Sequence, residues 1–151
     1  MIKRTPEYYA QCEYTAIKTI ESQIELYKDP NAAQQEIKRN INRTLRRFHD
    51  YNILERKDII LYYVDTSSED TTVEHVIPVN IITDKLINGE ITIKEALYTD
   101  ICLLSKTNNK LLREAGLTNT HNNLNKPFSR YRDAGIDITT IKDPSGNYLN
   151  N

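Results

Sequence analysis

Thr71-Thr-Val-Glu-His-Val-Ile-Pro78 and Asp100-Ile-Cys-Leu-Leu-Ser-Lys-Thr-Asn-Asn-Lys-Leu-Leu112 open and close the stretch around which this chain is organised. The first is an apolar run that ends in Glu74-His75 and is stopped by Pro78, a residue that cannot donate to a sheet ladder, so it reads as a strand entering a turn. In the second, Ile101 to Leu104 has the length of a buried strand, and Ser105 or Thr107 can cap a helix that Gly116 ends. The order is strand, connection, strand, helix, with an acid beside a histidine where the first strand stops.

Those residues carry a family resemblance. Glu74-His75 followed by Val-Ile-Pro resembles the Asp-His-Ile-Val-Pro opening of the HNH (ββα-metal) endonucleases, including the HNH domain of the CRISPR RNA-guided nucleases. In that family the second strand starts at a middle Asn and reaches the last metal-ligating Asn or His nine residues later. Here Asp100 stands at the middle position and Asn109 nine residues on. The resemblance covers about forty of the 151 residues. It departs from the family in three places: Glu74 replaces an Asp, Asp100 replaces the middle Asn, and the connection from Pro78 to Asp100 is longer than in compact members. The Cys-x-x-Cys pairs that bind zinc in many HNH domains are absent, since the cysteines are Cys12 and Cys102. No structural zinc is implied.

Hydrolysis of a phosphodiester needs an activated water on one side of phosphorus and charge stabilisation on the leaving oxygen opposite. A histidine neutral near pH 7 can take the proton from water, and a hard cation such as Mg²⁺ prefers carboxylate and amide oxygens. By resemblance, His75 is the general base, while Glu74 and Asn109 hold one divalent metal ion, Mg²⁺ or Mn²⁺, that stabilises the leaving group. Asp100 joins the catalytic set by positioning His75 or bracing the loop. Asn108 rivals Asn109 as the ligand, one residue out of register. Neighbouring strand residues point to opposite faces, so Glu74 and His75 serve one metal only if the backbone bends between them.

Outside that stretch, Tyr9, Cys12, Ala16, Ile20, Ile24 and Tyr27 recur at helical spacing between Pro6 and Lys28. Asp29-Pro30 fits a cap and first position for a second helix reaching about Tyr51, with Ile37, Ile41, Leu45 and Phe48 on its apolar side. Together they predict an antiparallel helical hairpin. On the polar side of the second helix Arg39, Arg43 and Arg46 fall together at 100° per residue, flanked by Arg47 and Lys38. That stripe suits a phosphate backbone, and equally suits a solvated helix face with arginines near its C-terminal end.

Ile59 to Val64 reads as a strand running into the acidic loop 65–70. After Pro78, Ile81, Ile82, Leu86 and Ile87 suggest a short helix stopped by Asn88-Gly89, and Thr92-Ile-Lys-Glu95 is a capping-box signature for another. The amide-rich stretch from Thr118 contains His121, either an exposed loop residue or an extra ligand. Near the end, Lys126-Pro-Phe-Ser-Arg-Tyr-Arg132 starts a last helix ended by Gly135. There we expect Phe128 and Tyr131 packed and Arg130 and Arg132 outward, able to contact phosphate together with Lys110 of the preceding helix. Asp143-Pro-Ser-Gly146 is a turn beside a short terminal strand.

Charged residues make up 27% of the chain and the formal net charge is -1, which excludes a global basic field. Nucleic-acid contact must therefore come from a local patch. No apolar run approaches the roughly 18 residues of a membrane span, and two distant cysteines suit a reducing, cytoplasmic setting. Abundant Asn, Ile, Lys and Tyr fit an AT-rich genome, such as that of a phage or a low-GC bacterium. The fold expected is α+β in a single domain: a helical hairpin over 1–52, an HNH-like ββα-metal core over 58–117, and a C-terminal loop, helix and tail over 118–151. The function this implies is a metal-dependent HNH-type endonuclease acting on DNA, or on RNA, as a monomer or a homodimer. The alternative is a non-catalytic protein on the same fold, an inhibitor or accessory factor that contacts a host protein or nucleic acid.

Overall fold

Thr5 starts the first helix, α1 (Pro6–Tyr27), by accepting the Tyr8 backbone N–H on its hydroxyl at 3.2 Å, with Pro6 pre-set for the first turn and Glu7 favourably placed at the positive helix end. The computed structural model describes residues 4–50, 61–64 (backbone only) and 70–149. Their fold is mixed α+β. The chain divides into two compact units, one of Met1–Ile59 with Val79–Tyr98 and the other of Ile60–Pro78 with Thr99–Asn151.

The first unit is helical. In α1 and α2 (Gln34–Phe48) the predicted apolar faces turn inward, Ala16 and Ile20 on one and Ile37, Ile41, Leu45 and Phe48 on the other. The second helix begins four residues later than Asp29-Pro30 predicts. Asp29 instead accepts the Asn31 N–H on its carboxylate at 2.9 Å, closing an Asx turn that satisfies the aspartate locally and uses it up as a cap. Ala33 is the N-cap residue, with no side-chain cap. The unit is completed by α3 (Val79–Ile87) and α4 (Ile93–Leu97), the latter held by the full capping box of Thr92 and Glu95. Lys38 of α2 reaches Asp84 of α3 at 3.0 Å, and Lys94 of α4 reaches Glu13 of α1 at 3.6 Å. The sequence assigns the connection 79–98 to the HNH-like core, but its buried Val79, Ile82, Leu86, Ala96 and Leu97 belong to the helical unit.

The second unit is a four-stranded sheet ordered β2, β3, β1, β4, where β1 is Leu61–Val64, β2 Thr71–His75, β3 Ile101–Ser105 and β4 Ile141–Lys142. The pair β2/β3 is antiparallel, β1 runs parallel to β3, and β4 closes the edge antiparallel to β1. Directly after β3 comes α5 (Lys106–Glu114), and α6 (Ser129–Asp133) follows the amide-rich loop. Ser105 caps α5 by accepting the Asn108 N–H at 3.1 Å. Gly116 lies two residues past the helix at φ +71°, a conformation that favours glycine. Cys102, Leu104, Leu112, Tyr131, Ile136, Ile138 and Ile141 form the buried core with Val76. The remaining part of the 59–64 strand assignment and the acidic loop 65–69 lie outside the described residues. Among the described residues no helix is long and apolar enough to cross a membrane.

One buried group makes the helical unit sensitive to acid. His49, with no exposed surface, bonds through Nε2 to the Leu97 carbonyl at 2.8 Å, and burial lowers its pKa from 6.5 to about 4. Below pH 6.5 the unfolded chain takes up a proton that the folded chain refuses, so this contribution to stability is complete above 6.5 and is lost as pH falls toward 4. The loss amounts to about 3 kcal/mol. Burial raises the Asp50 pKa and acts in the opposite sense, favouring the fold on acidification. Urea unfolding of wild type and His49→Gln at pH 7 and pH 4 isolates the histidine. The stability difference between the two proteins should shift by about 3 kcal/mol across that range, and a constant difference would refute the account.

Candidate functional site

The ladder that carries the expected site is unbroken. Thr72 pairs with Leu104, Glu74 with Cys102 and His75 with Ile101, and the Val76 N–H donates to the Asp100 carbonyl at 3.1 Å just beyond. Paired residues of an antiparallel ladder share a face and neighbours along a strand alternate. Glu74 therefore lies on the face of Cys102 and Leu104, over which Leu112 of α5 and Tyr131 of α6 pack, and His75 lies on the opposite face. The bend needed to bring both to one metal is not made. His75 is 8% exposed.

The partner that Glu74 takes instead is Arg130. This arginine, expected to face outward as a phosphate contact, is 1% exposed. Its Nη2 donates to Glu74 Oε1 at 3.0 Å, to the Val76 carbonyl at 3.4 Å and to the His75 carbonyl. Its Nη1 donates to the carbonyls of Leu117 at 2.8 Å and Thr118 at 3.1 Å. The inward turn has a physical cause. Alone among side chains, a guanidinium presents five donors in a rigid fork, and the end of β2 and the loop after α5 offer it four carbonyls and one carboxylate. Tyr131, fully buried, and Phe128, half-buried, pack edge to face at 5.8 Å, as their spacing predicts. Arg132 remains exposed, and Lys110 is exposed on α5 with Glu114 at 3.6 Å.

Electrostatics on this face follow from burial. The Cys102 thiol is pushed up to about 12, first by burial and then by the Glu74 carboxylate, so it is an unreactive core thiol. Burial also raises the Asp100 carboxyl above its usual range. Asn109 sits half-buried in the first turns of α5, while the Asn108 N–H is committed to the Ser105 cap. Among the described residues no three His, Cys, Asp or Glu side chains form a metal-binding group. A carboxylate engaged by a buried guanidinium, with the imidazole on the other face, does not fit one Mg²⁺ or Mn²⁺ ion held by Glu74 and Asn109 beside a His75 base. His121, the other candidate, is held within its own loop by the Pro127 carbonyl at 2.7 Å.

The helical unit holds a different kind of site. Arg39, Arg43, Arg46 and Arg47 are exposed on α2 and, with Asn42 and Asp50, line an open surface depression. Arg39 is paired with Glu36 and Lys38 with Asp84, so the two ends of the predicted stripe differ. The end toward Arg43, Arg46 and Arg47 gathers three arginines around one acid, Asp50. Helix geometry placed these residues correctly, because the buried stripe opposite them is strongly apolar.

Breaking the ion pair should show what Arg130 does. Removing one member of a buried pair strands the other, at about 3–5 kcal/mol. We expect Arg130→Met and Glu74→Gln each to lower stability on that scale, and the double variant to lose clearly less than the sum. Strict additivity in urea unfolding would mean that the two groups are not coupled. No family model, curated protein or solved structure matches this chain.

Proposed function

We propose that the chain is a nucleic-acid-binding protein whose HNH-like ββα unit serves as a scaffold without nuclease activity, and that the α2 arginines are its contact with phosphate. The observation that carries this reading is the exposed cluster of Arg43, Arg46 and Arg47 in one depression of a chain whose net charge is -1. On such a chain a local concentration of guanidinium groups is what attracts a polyanion, and arginine forks match phosphate oxygens. The scaffold role is supported by the Glu74–Arg130 pair, through which the protein itself supplies the positive charge that the resemblance assigns to a metal.

One observation favours a second reading, a metal-dependent HNH-type endonuclease: the order β2, β3, α5 matches the expected strand, strand, helix, with Asn109 on the helix. The two readings give different outcomes in the same tubes. Under the binding reading, plasmid incubated with protein and Mg²⁺ or Mn²⁺ stays intact; cleavage that His75→Ala abolishes would establish the endonuclease instead.

Binding is measured separately by fluorescence anisotropy over a salt series. Replacing Arg39, Arg43 and Arg46 with Ala should weaken binding about tenfold or more and lower the slope of log K against log salt by about 2, since Arg43 and Arg46 each give up a phosphate contact worth about 0.9 while Arg39 is paired with Glu36. Unchanged affinity and slope would return these arginines to the role of a solvated helix face.

A further inference from the structure

Arg47 lines two depressions of the helical unit. One is the arginine surface of α2, and the other is a groove of about 780 Å³ between α1 and α2. The groove differs in chemistry from the surface beside it. Its floor includes the buried ring of Phe48, and its rim carries Tyr8, 42% exposed, with the Arg4 guanidinium 4.8 Å from the Tyr8 ring centroid. Gln11 and Thr15 add an amide and a hydroxyl from α1. The Thr15 hydroxyl donates to the Gln11 carbonyl at 2.8 Å, which leaves its oxygen lone pairs as acceptors.

We propose that the polymer bound at the α2 arginines is single-stranded nucleic acid, and that one unpaired base enters the α1/α2 groove next to Arg47. This rests on the nucleic-acid reading above and names its substrate class. A single strand needs a cationic track for phosphate next to flat, polarisable groups on which a splayed base can stack, with amides or hydroxyls to meet its edge. Arg43, Arg46 and Arg47 give the track, Tyr8 and Arg4 give planar groups, and Gln11 and Thr15 give edge partners. The groove falls within the size range of small-ligand sites, so it has room for a base. A duplex, whose bases stay stacked on each other, would contact only the arginines.

Anisotropy with a labelled oligonucleotide, as DNA and as RNA, single-stranded and annealed to its complement, tests this directly. Single strands of at least one polymer should bind about tenfold or more tighter than the duplex. The variant Tyr8→Ala/Gln11→Ala, at two exposed positions, should lose roughly tenfold on single strands and leave duplex affinity unchanged. Cys12 also lines the groove whereas Cys102 is buried, so saturating single strand should slow maleimide labelling of the protein and duplex should not. Equal affinity for single strand and duplex, or equal loss on both in the variant, would overturn the proposal while leaving the arginine contact in place. No binding to any of these polymers would overturn both.

Discussion

A guanidinium enclosed by protein must be compensated by hydrogen bonds, and the two terminal nitrogens of Arg130 are compensated by two separated parts of the chain. The Glu74 carboxylate and the His75 and Val76 carbonyls come from the end of β2, and the Leu117 and Thr118 carbonyls come from the loop after α5. Any rearrangement that moves one of these strands a buried charge, at a cost of several kcal/mol. The register of β2 on β3, the path of the chain after Gly116 and the seating of α6 are therefore tied to one side chain. On the sheet face the same contact holds one oxygen of the Glu74 carboxylate, Oε1, against the buried guanidinium.

That constraint also separates what was legible in the sequence from what was not. Local signals were reliable because their physics is local. The capping box at Thr92, the Ser105 cap, Gly116 after α5 and the apolar stripe from Ile37 to Phe48 each concern residues within a turn or two of one another. The strand, strand, helix order from Thr71 to Glu114 was legible for the same reason. Arg130 was not, since an arginine beside exposed Arg132 in a polar segment looks like surface. Only the carbonyls of residues twelve and more positions away make its burial favourable. Asp29 misled in the opposite direction: its side chain suits a helix cap and an Asx turn alike, and the turn won by closing on Asn31.

The candidate site shows the same division. A residue pattern such as Glu-His before a proline gives identities and spacing, but whether two adjacent side chains converge depends on the backbone between them. An unbroken ladder through Glu74 and His75 sends them to opposite faces, and no count of residues along the chain reveals that. The arginines of α2 were legible because a helix fixes its faces by geometry alone, once the buried stripe opposite is recognised.

Net charge conceals how unevenly the cationic groups are committed. Lys38, Lys94 and Lys106 each lie within ion-pair distance of an acid elsewhere in the fold, and Arg130 is consumed in the interior. Pairing across elements removes those cations from the field that an approaching polyanion meets, although each still counts in the sum. On α2, Arg43, Arg46 and Arg47 lie exposed in one depression, with Asp50 as the nearby acid that tempers their charge. A chain close to neutrality can thus present a surface that phosphate recognises, provided that its acids are spent on structure. In this fold much of that spending is visible: Glu74, Asp84, Glu13 and Asp70 are all turned toward cations of other segments.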